Sequence, residues 1–184
     1  MSSASTVLDP RFPIGKFHYT EPPSAEQRVQ WRKRHIDTLA EMPIKFRHAV
    51  DDLTEAQLDT PYRENGWTVR QLIHHIPDSH MNAYVRFKMA LTEPDPLIKT
   101  YEEQLWAELS DSRETPTEVS LVMLRALHTR WVVLLRALSD DDFAKNYVHP
   151  QLGAVPLEKA LALYSWHCLH HTAHVTELRK KMGW

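Results

Sequence analysis

Residues 156–183 read PLEKALALYSWHCLHHTAHVTELRKKMG, a single amphipathic segment near the C-terminus. One side chain in every three or four belongs to a mostly apolar stripe, which is the spacing of one face of an α-helix. Gly183 stands where helices commonly end, because glycine adopts the left-handed conformation without strain. We therefore predict a long helix from about Pro156 to Met182. The stripe consists of Leu157, Ala160, Leu161, Tyr164, His167, Cys168, His171, Val175, Leu178 and Met182.

Three further helices are predicted upstream from their start signals. A capping-box pattern, in which a Ser or Thr precedes a Gln by three residues, opens the first at Ser24 and the second at Thr68. The third is expected to begin at Thr115 as cap residue, with Pro116 in its first turn and Glu118 three residues on. Apolar stripes support two of them: Leu39, Met42, Phe46, Val50 and Leu53 in the first, and Leu121, Leu124, His128, Trp131, Leu135 and Leu138 in the third.

Prolines interrupt or end these segments. Pro43 should kink the first helix, because proline removes one backbone hydrogen bond and clashes with the preceding turn. The second helix should stop near Thr92, since residues 93–96, EPDP, cannot continue it. A short extra helix is expected between Tyr101 and Leu109.

Four amphipathic helices joined by moderate loops predict an all-α four-helix bundle. Residues 1–23 contain four prolines and no periodic apolar pattern, so we expect an N-terminal arm that lies over the bundle. Residues 24–184 would then form the bundle domain. No long alternating segment predicts a β-strand.

Composition excludes several classes of function. Lys+Arg 22 against Asp+Glu 24 gives a formal net charge of -2, without the basic excess typical of a nucleic-acid binder. The single cysteine, Cys168, excludes an internal disulfide and a Cys-rich zinc site. The uncharged run 160–176 is shorter than the roughly 20 residues of a membrane-spanning helix. We expect a cytoplasmic protein that acts on a small molecule, without a nucleic-acid or membrane partner.

The chain has 12 histidines, and seven of them fall in two windows of the second and fourth predicted helices. His167/His171 and His170/His174 have i, i+4 spacing, which places two imidazoles on one helix face as a metal ion requires. The first pair belongs to the apolar stripe, whereas the second lies on a flank where it could be solvated or hydrogen-bonded. The seven are His74, His75, His80, His167, His170, His171 and His174.

His167 and His171 are therefore the predicted metal ligands of the fourth helix. The alternative is a pair of core histidines satisfied by ordinary hydrogen bonds. A His-His pair on the second helix favours the metal site, although periodicity does not separate His74 from His75. Three histidines leave tetrahedral zinc one open position for a water molecule, which is the arrangement of a catalytic site.

Two roles, one structural and one functional, are considered for each of three other residues. His128 lies in the third stripe and is either a core residue or a neighbour of the site. Cys168 is interpreted mainly as a small buried residue, because adjacent helical side chains diverge. Asp78 is the nearest carboxylate in sequence to the second helix's His-His pair, either solvated or orienting a histidine. No clear general base is identified.

Several motifs together carry a family resemblance. They are LDTPYRENGWTVRQLIHHIPDSHMNAY at 58–84, PIGKF at 13–17, LHTRW at 127–131, YSWHCLHHTAH at 164–174 and MGW at 182–184. These motifs resemble the YfiT group of the DinB-like metalloenzyme superfamily. The likeness extends from about Pro13 to the end of the chain.

The resemblance implies a four-helix bundle, usually a homodimer, with one divalent metal per subunit held by His75, His167 and His171. His75 as the first ligand rests on the resemblance alone. Zinc is the expected metal, and nickel is possible because the affinity order rather than the sequence decides it. This chain departs from the group at Pro77, where a small residue is usual and where the backbone amide bond to Ile73 is lost.

The resemblance also implies a metal-dependent hydrolase that holds an activated water. A metal-dependent low-molecular-weight-thiol S-transferase is the alternative, since zinc can also bind and deprotonate a thiol. A second alternative is a non-catalytic bundle in which the metal only cross-links helices.

Overall fold

The computed structural model describes residues 9–22 and 24–184 and confirms the predicted four-helix bundle. The four long helices are α1 (Ala25–Val50), α3 (Val69–Thr92), α6 (Thr117–Arg136) and α8 (Leu157–Met182). Four short helices lie between them: α2 (Glu55–Leu58), α4 (Glu103–Trp106), α5 (Ser110–Glu114) and α7 (Asp140–Ala144). Two strands, β1 (Asn146–His149) and β2 (Gly153–Pro156), pair as an antiparallel hairpin before α8.

The start and stop signals read from the sequence are mostly correct. Ser24 accepts a hydrogen bond from the amide of Gln27 at 3.2 Å, and Thr68 forms a complete capping box with Gln71. Gly183 ends α8 in the left-handed conformation, with φ of 73°. Both α1 and α3 continue through their internal prolines, Pro43 and Pro77.

Two predictions of local structure are wrong. Thr115 does not cap α6; it follows the last residue of α5, and Pro116 occupies the cap position of α6 without a side-chain hydrogen bond. The sequence pattern did not predict α5. Thr115 is the C-terminal cap residue of that short helix. The hairpin of β1 and β2 was also not predicted, because four-residue strands are too short to show an alternating pattern.

The first two long helices, α1 and α3, follow each other in sequence but are not packed against each other. Within the described residues, α1 packs mainly against α6 and α8, and α3 packs mainly against the same two helices. Consecutive α1 and α3 therefore occupy opposite corners of the bundle. This arrangement brings α3 beside α8, and these two helices carry both histidine-rich windows.

A continuous apolar core fills the space between the helices. Trp131 of α6 is fully buried and is its largest side chain, with its ring 5.4 Å from that of Phe87; Phe46 and Leu124 are also fully buried in this core. Where α8 packs against α1, buried Glu158 of α8 accepts hydrogen bonds from Arg28 at 2.7 Å and from Arg32 at 2.6 Å. These bonds tie α8 to α1.

The arm segment 9–22 lies against α8 and the loop before α3. The carbonyl of Gly15 accepts a hydrogen bond from the indole of Trp166 at 3.2 Å, and the Phe12 ring lies 6.1 Å from the His170 ring. Residues 1–8 and 23 of the predicted arm lie outside the described residues.

Candidate metal centre

The structure brings together the three histidines expected to bind a metal. One nitrogen each of His75, His167 and His171 lies within 4.8 Å of the other two. The Nε2 atoms of His167 and His171 are 3.0 Å apart, and the His75 ring centre lies 5.6 Å and 5.1 Å from theirs. His75 and His171 are buried, whereas His167 is half-buried. Two helices far apart in sequence thus aim imidazoles at one point.

The start of α3 sets the position of His75. The capping box at Thr68 determines where the helix begins, so His75 falls two turns later on the face toward α8. Trp67, immediately before the cap, packs its ring 4.5 Å from that of His75. The indole in turn donates a hydrogen bond to Gln104 Oε1 at 3.0 Å, which holds the packing surface in place.

The structure also separates His74 from His75. The Nδ1 atom of His74 is 2.7 Å from Ser120 Oγ, and its Nε2 is 3.1 Å from the carbonyl of Thr115. His74 therefore has partners for both ring nitrogens and links α3 to the start of α6. His75 is the member of the pair that faces the other candidate ligands.

A histidine chain, defined as His167, His80 and His128, runs from the site into the core. His167 Nδ1 is 2.9 Å from His80 Nε2, and His80 Nδ1 is 2.7 Å from His128 Nε2. The chain ends where His128 Nδ1 meets the backbone carbonyl of Leu39 at 2.6 Å. His80 is fully buried, so these bonds are its only compensation for lost water.

The Leu39 carbonyl determines every proton position in this chain. A carbonyl only accepts, so His128 Nδ1 must donate, and the neutral ring then accepts at Nε2. The same logic makes His80 donate from Nδ1 and accept at Nε2, and makes His167 donate from Nδ1. His167 is thereby left with its Nε2 lone pair directed toward His171.

Burial keeps these imidazoles neutral. It lowers the pKa of His75 and of His128 to about 4. Burial, followed by the neighbouring imidazoles, holds the pKa values of His80, His167 and His171 well below their ordinary value. Neutral imidazole is the form that binds a metal, so the fold prepares these groups for ligation.

His170 and His174 were expected on a flank where they could be solvated or hydrogen-bonded; the structure buries them and leaves His170 Nδ1 and both ring nitrogens of His174 without a hydrogen-bond partner among the described residues. Their exposed fractions are 7% and 4%, because aromatic residues cover them. Trp166 stacks on His170 at 4.3 Å, and Tyr62 lies 4.3 Å from the His174 ring. The sequence did not show this cover, which comes from the segment before α3 and from α8 itself.

His128, Cys168 and Asp78 lie in three different environments. His128 belongs to the histidine chain and so supports the site from behind. Cys168 is buried, and burial raises the pKa of its thiol, which agrees with a core role. Burial and the nearby Asp111 raise the pKa of Asp78 to about 6, but Asp78 is outside the histidine groups described above.

A polar cavity of about 440 Å³ opens onto His167. Its volume is in the range of small-molecule sites. Burial, followed by the charge of Glu102, raises the pKa of Glu103 on its wall, and burial raises the pKa of Tyr101 to about 12. This wall was not predicted, because it combines residues of α3, α4, α8 and the β1–β2 hairpin. The residues that line it include Arg86, Tyr101, Glu102, Glu103, Tyr164 and His167.

The three nitrogens fit a transition-metal ion. Zinc–imidazole bonds of about 2.0–2.1 Å place two ligand nitrogens roughly 3.0–3.4 Å apart, and His167 and His171 already have that separation. An all-imidazole donor set suits zinc, nickel, copper or iron rather than magnesium or calcium. His171 Nδ1, buried and without a hydrogen-bond partner among the described residues, remains available on the far side of its ring.

The fold and this site together define a helical bundle with a candidate metal centre in its core. The chain matches the model of the DinB superfamily over residues 38–175, and it belongs to that superfamily. Among the described residues, no helix is both long enough and apolar enough to cross a membrane.

Two relatives and one solved structure match nearly the whole chain. A Bacillus cereus (strain 03BB102) protein named "Putative metal-dependent hydrolase" is 51% identical over 176 residues, covering 96% of this chain and 99% of its own length. A relative from Bacillus thuringiensis subsp. konkukian (strain 97-27) has the same identity, coverage and description. The solved structure of YfiT from Bacillus subtilis, described as a probable metal-dependent hydrolase with an unusual four-helix bundle topology, has a TM-score of 0.89 and 48% identity. The match covers 96% of this chain and 99% of that one.

Proposed function

We propose that this chain is a metal-dependent hydrolase in which His75, His167 and His171 bind one divalent ion, zinc, beside the polar cavity. The observation that carries the proposal is the meeting of three neutral imidazoles, one of which, His167, lines a cavity large enough for a small substrate. The descriptions of the relatives from Bacillus cereus and Bacillus subtilis support the same reaction class.

The histidine chain and Arg86 have different roles in this proposal. Bound zinc would supply a Lewis acid that lowers the pKa of a water molecule toward 7. The histidine chain holds the His167 lone pair toward the ion and prevents the ring from rotating. Arg86, which donates to the Lys99 carbonyl at 3.2 Å and lies 3.5 Å from Tyr164 Oη, is the cation that can orient a polar substrate group.

Glu103 is the residue we propose as proton acceptor for the reaction. Its raised pKa lies closer to neutrality than that of an ordinary glutamate, which suits a general base. We expect Glu103→Gln to lower turnover by about 100-fold or more while zinc content stays unchanged. Glu102→Gln is the matched control, since the neighbouring carboxyl lines the same cavity and should change turnover little.

The metal assignment is tested by elemental analysis of purified protein together with an activity screen of esters, amides and electrophile–thiol pairs. We expect about one zinc per chain in the tight site, hydrolysis of an ester or amide, and loss of both in His75→Ala. His74→Ala is the matched control and should keep both. Full zinc occupancy and activity in His75→Ala would contradict the ligand set.

The same screen distinguishes the alternatives. Turnover only with an electrophile and a thiol would identify a thiol S-transferase. A chelator that melts the bundle without any activity to abolish would identify a structural metal. A chelator that stops hydrolysis and leaves the bundle folded supports the hydrolase.

We also propose a homodimer. The six tryptophans do not support it, because none of them is exposed. The support comes instead from α6, where Val119, Val122 and Val133 are exposed on the outer face of the bundle. Light scattering should give the mass of two chains at micromolar concentration, and Val122→Glu with Val133→Glu should give the mass of one.

A further inference from the structure

A second group of imidazoles lies next to the candidate metal centre on α8. One nitrogen each of His170, His171 and His174 lies within 4.8 Å of the other two, and all three residues are buried. The rings of His170 and His174 are 4.4 Å apart, as their i, i+4 spacing requires. His171 adjoins both His170 and His167: its ring centre lies 5.0 Å from that of His170 and 4.3 Å from that of His167.

These imidazoles have nitrogens that nothing in the described structure satisfies. His170 Nδ1, His171 Nδ1 and both ring nitrogens of His174 have no hydrogen-bond partner among residues 9–22 and 24–184. Backbone groups of Pro10 and Arg11 approach His174 and favour its protonated form, but outside hydrogen-bond geometry. Buried polar groups are nearly always paired, so such a cluster calls for a ligand.

The two ring nitrogens of His171 differ in their partners. Its Nε2 is directed at His167 Nε2, 3.0 Å away, and belongs to the candidate metal centre. Its unpartnered Nδ1 lies on the other edge of the ring, so it is available to the His170–His174 group. One imidazole thus has one nitrogen for each group.

An ion can reach this group by its own route. A cavity of about 610 Å³ opens at His174 between the arm and the end of α8, separate from the cavity at His167. Its wall carries three carboxylates and three cationic side chains, so the wall has no net charge; they are Asp9, Glu64, Glu177, Arg63, Lys180 and Lys181. Burial keeps His170 and His174 neutral, with pKa values of about 4.

We propose that His170, His174 and the Nδ1 atom of His171 form a second transition-metal site, with His171 bridging the two sites. Occupation of both sites requires His171 to release its Nδ1 proton to solvent and to bind as imidazolate. That proton loss makes the second ion bind more weakly than the first. The all-imidazole donor set selects zinc or copper over calcium and magnesium.

The test is a count of bound ions. Metal-stripped protein is dialysed against increasing Zn²⁺, and zinc per chain is measured. We expect wild-type protein to bind two ions, the second more weakly, while His174→Ala and His170→Ala lose the weaker ion and keep the tighter one. His48→Ala, which removes an exposed histidine on α1, is the matched control and should keep both.

Other variants separate this site from the proposed catalytic one. His75→Ala should lose the tighter ion and still bind one, because His171 is then free to serve the second group. His174→Phe and His170→Phe keep ring volume and aromatic packing, so they report on ligation if the alanine variants fail to fold. Wild-type protein that saturates at one ion, or His174→Phe that still binds two, would overturn the second site. Failure of the first assignment instead shows as an unchanged tight ion in His75→Ala.

Discussion

His167 and the pair His170/His174 are neighbours on α8, yet their surroundings differ completely. His167 is joined through His80 and His128 to a backbone carbonyl, so its ring orientation and proton position follow from a single acceptor. His170 and His174 are more deeply buried, are covered by the rings of Trp166 and Tyr62, and have ring nitrogens without a hydrogen-bond partner among the described residues. Burial alone makes an imidazole neutral, whereas a chain of hydrogen bonds also decides which nitrogen presents its lone pair.

The difference predicts two kinds of metal ligand. A ring held by hydrogen bonds loses little freedom when it binds an ion, which favours tight binding. Rings without partners must be organised by the ion itself, so they bind it more weakly.

His171→Ala should have the largest effect, because its ring contributes to both groups. We expect the variant to retain no zinc after dialysis and to have no hydrolase activity, whereas single variants on either side lose one ion only. Elemental analysis and circular dichroism of the same sample give the result. Zinc retained at wild-type level would contradict the central position of His171.

Acid should destabilise the metal-free protein strongly. Buried histidines have pKa values of about 4 or below, whereas unfolded histidine titrates near 6.5, so the unfolded chain binds more protons between these values. Their contribution is therefore fully present above about pH 6.5 and is lost as the pH falls toward 4. Each such histidine contributes up to about 1.4 kcal/mol per pH unit.

Asp78 acts in the opposite direction, because its pKa is raised to about 6 and its contribution is lost as the pH rises. Several histidines outweigh this one carboxyl. Urea midpoints in EDTA should change little from pH 7.5 to 6.5 and fall steeply from pH 6.5 to 5.5, and His128→Gln should make that fall smaller. A midpoint independent of pH would mean that these histidines are not held neutral by burial.

His128→Leu should break the histidine chain at its source. It leaves the Leu39 carbonyl and His80 Nδ1 unpaired, so the free energy of unfolding should fall by about 1–3 kcal/mol. Zinc affinity should fall by about 10- to 100-fold, since His167 loses its orientation. His128→Gln can donate to the carbonyl and accept from His80, and should recover part of the affinity. Equal zinc affinity in His128→Leu and wild type would show that the chain does not position His167.

His74→Ala should have the smallest effect on the site. The variant loses hydrogen bonds to Ser120 and Thr115, which should lower the free energy of unfolding by about 1–2 kcal/mol. Zinc content should not change, because His74 points away from α8. Titration with urea and elemental analysis measure the two effects separately, and loss of zinc would show that the assignment of His75 is wrong.

Local signals in the sequence were sufficient to predict the long helices and two of the three candidate metal ligands. Thr68 with Gln71, and Gly183, act through hydrogen bonds within a few residues, so their pattern is visible in the chain itself. The i, i+4 spacing of His167 and His171 likewise depends only on helix geometry. Thr115 was misread because two helices compete for it, one ending there and the next beginning two residues later.

The choice of His75 over His74 needed more than periodicity, because both belong to one buried surface of α3. The family resemblance selected His75, and the structure supplies a physical reason: Ser120 and Thr115 occupy the nitrogens of His74. Those partners lie more than 40 positions away in the sequence. No pattern within one helix can show them.

The sequence by itself determined an all-α bundle, the limits of most of its long helices and the His167/His171 pair, since these depend on contacts within about one helical turn. Only the tertiary structure decided that α1 and α3 lie at opposite corners, that His80 joins His167 to His128, and that His170 and His174 are covered. His80 and His128 are 48 positions apart, and His80 and His167 are 87 apart. Hydrogen bonds across such separations depend on how whole helices pack, and that is settled by the burial of their combined apolar surfaces rather than by any local pattern.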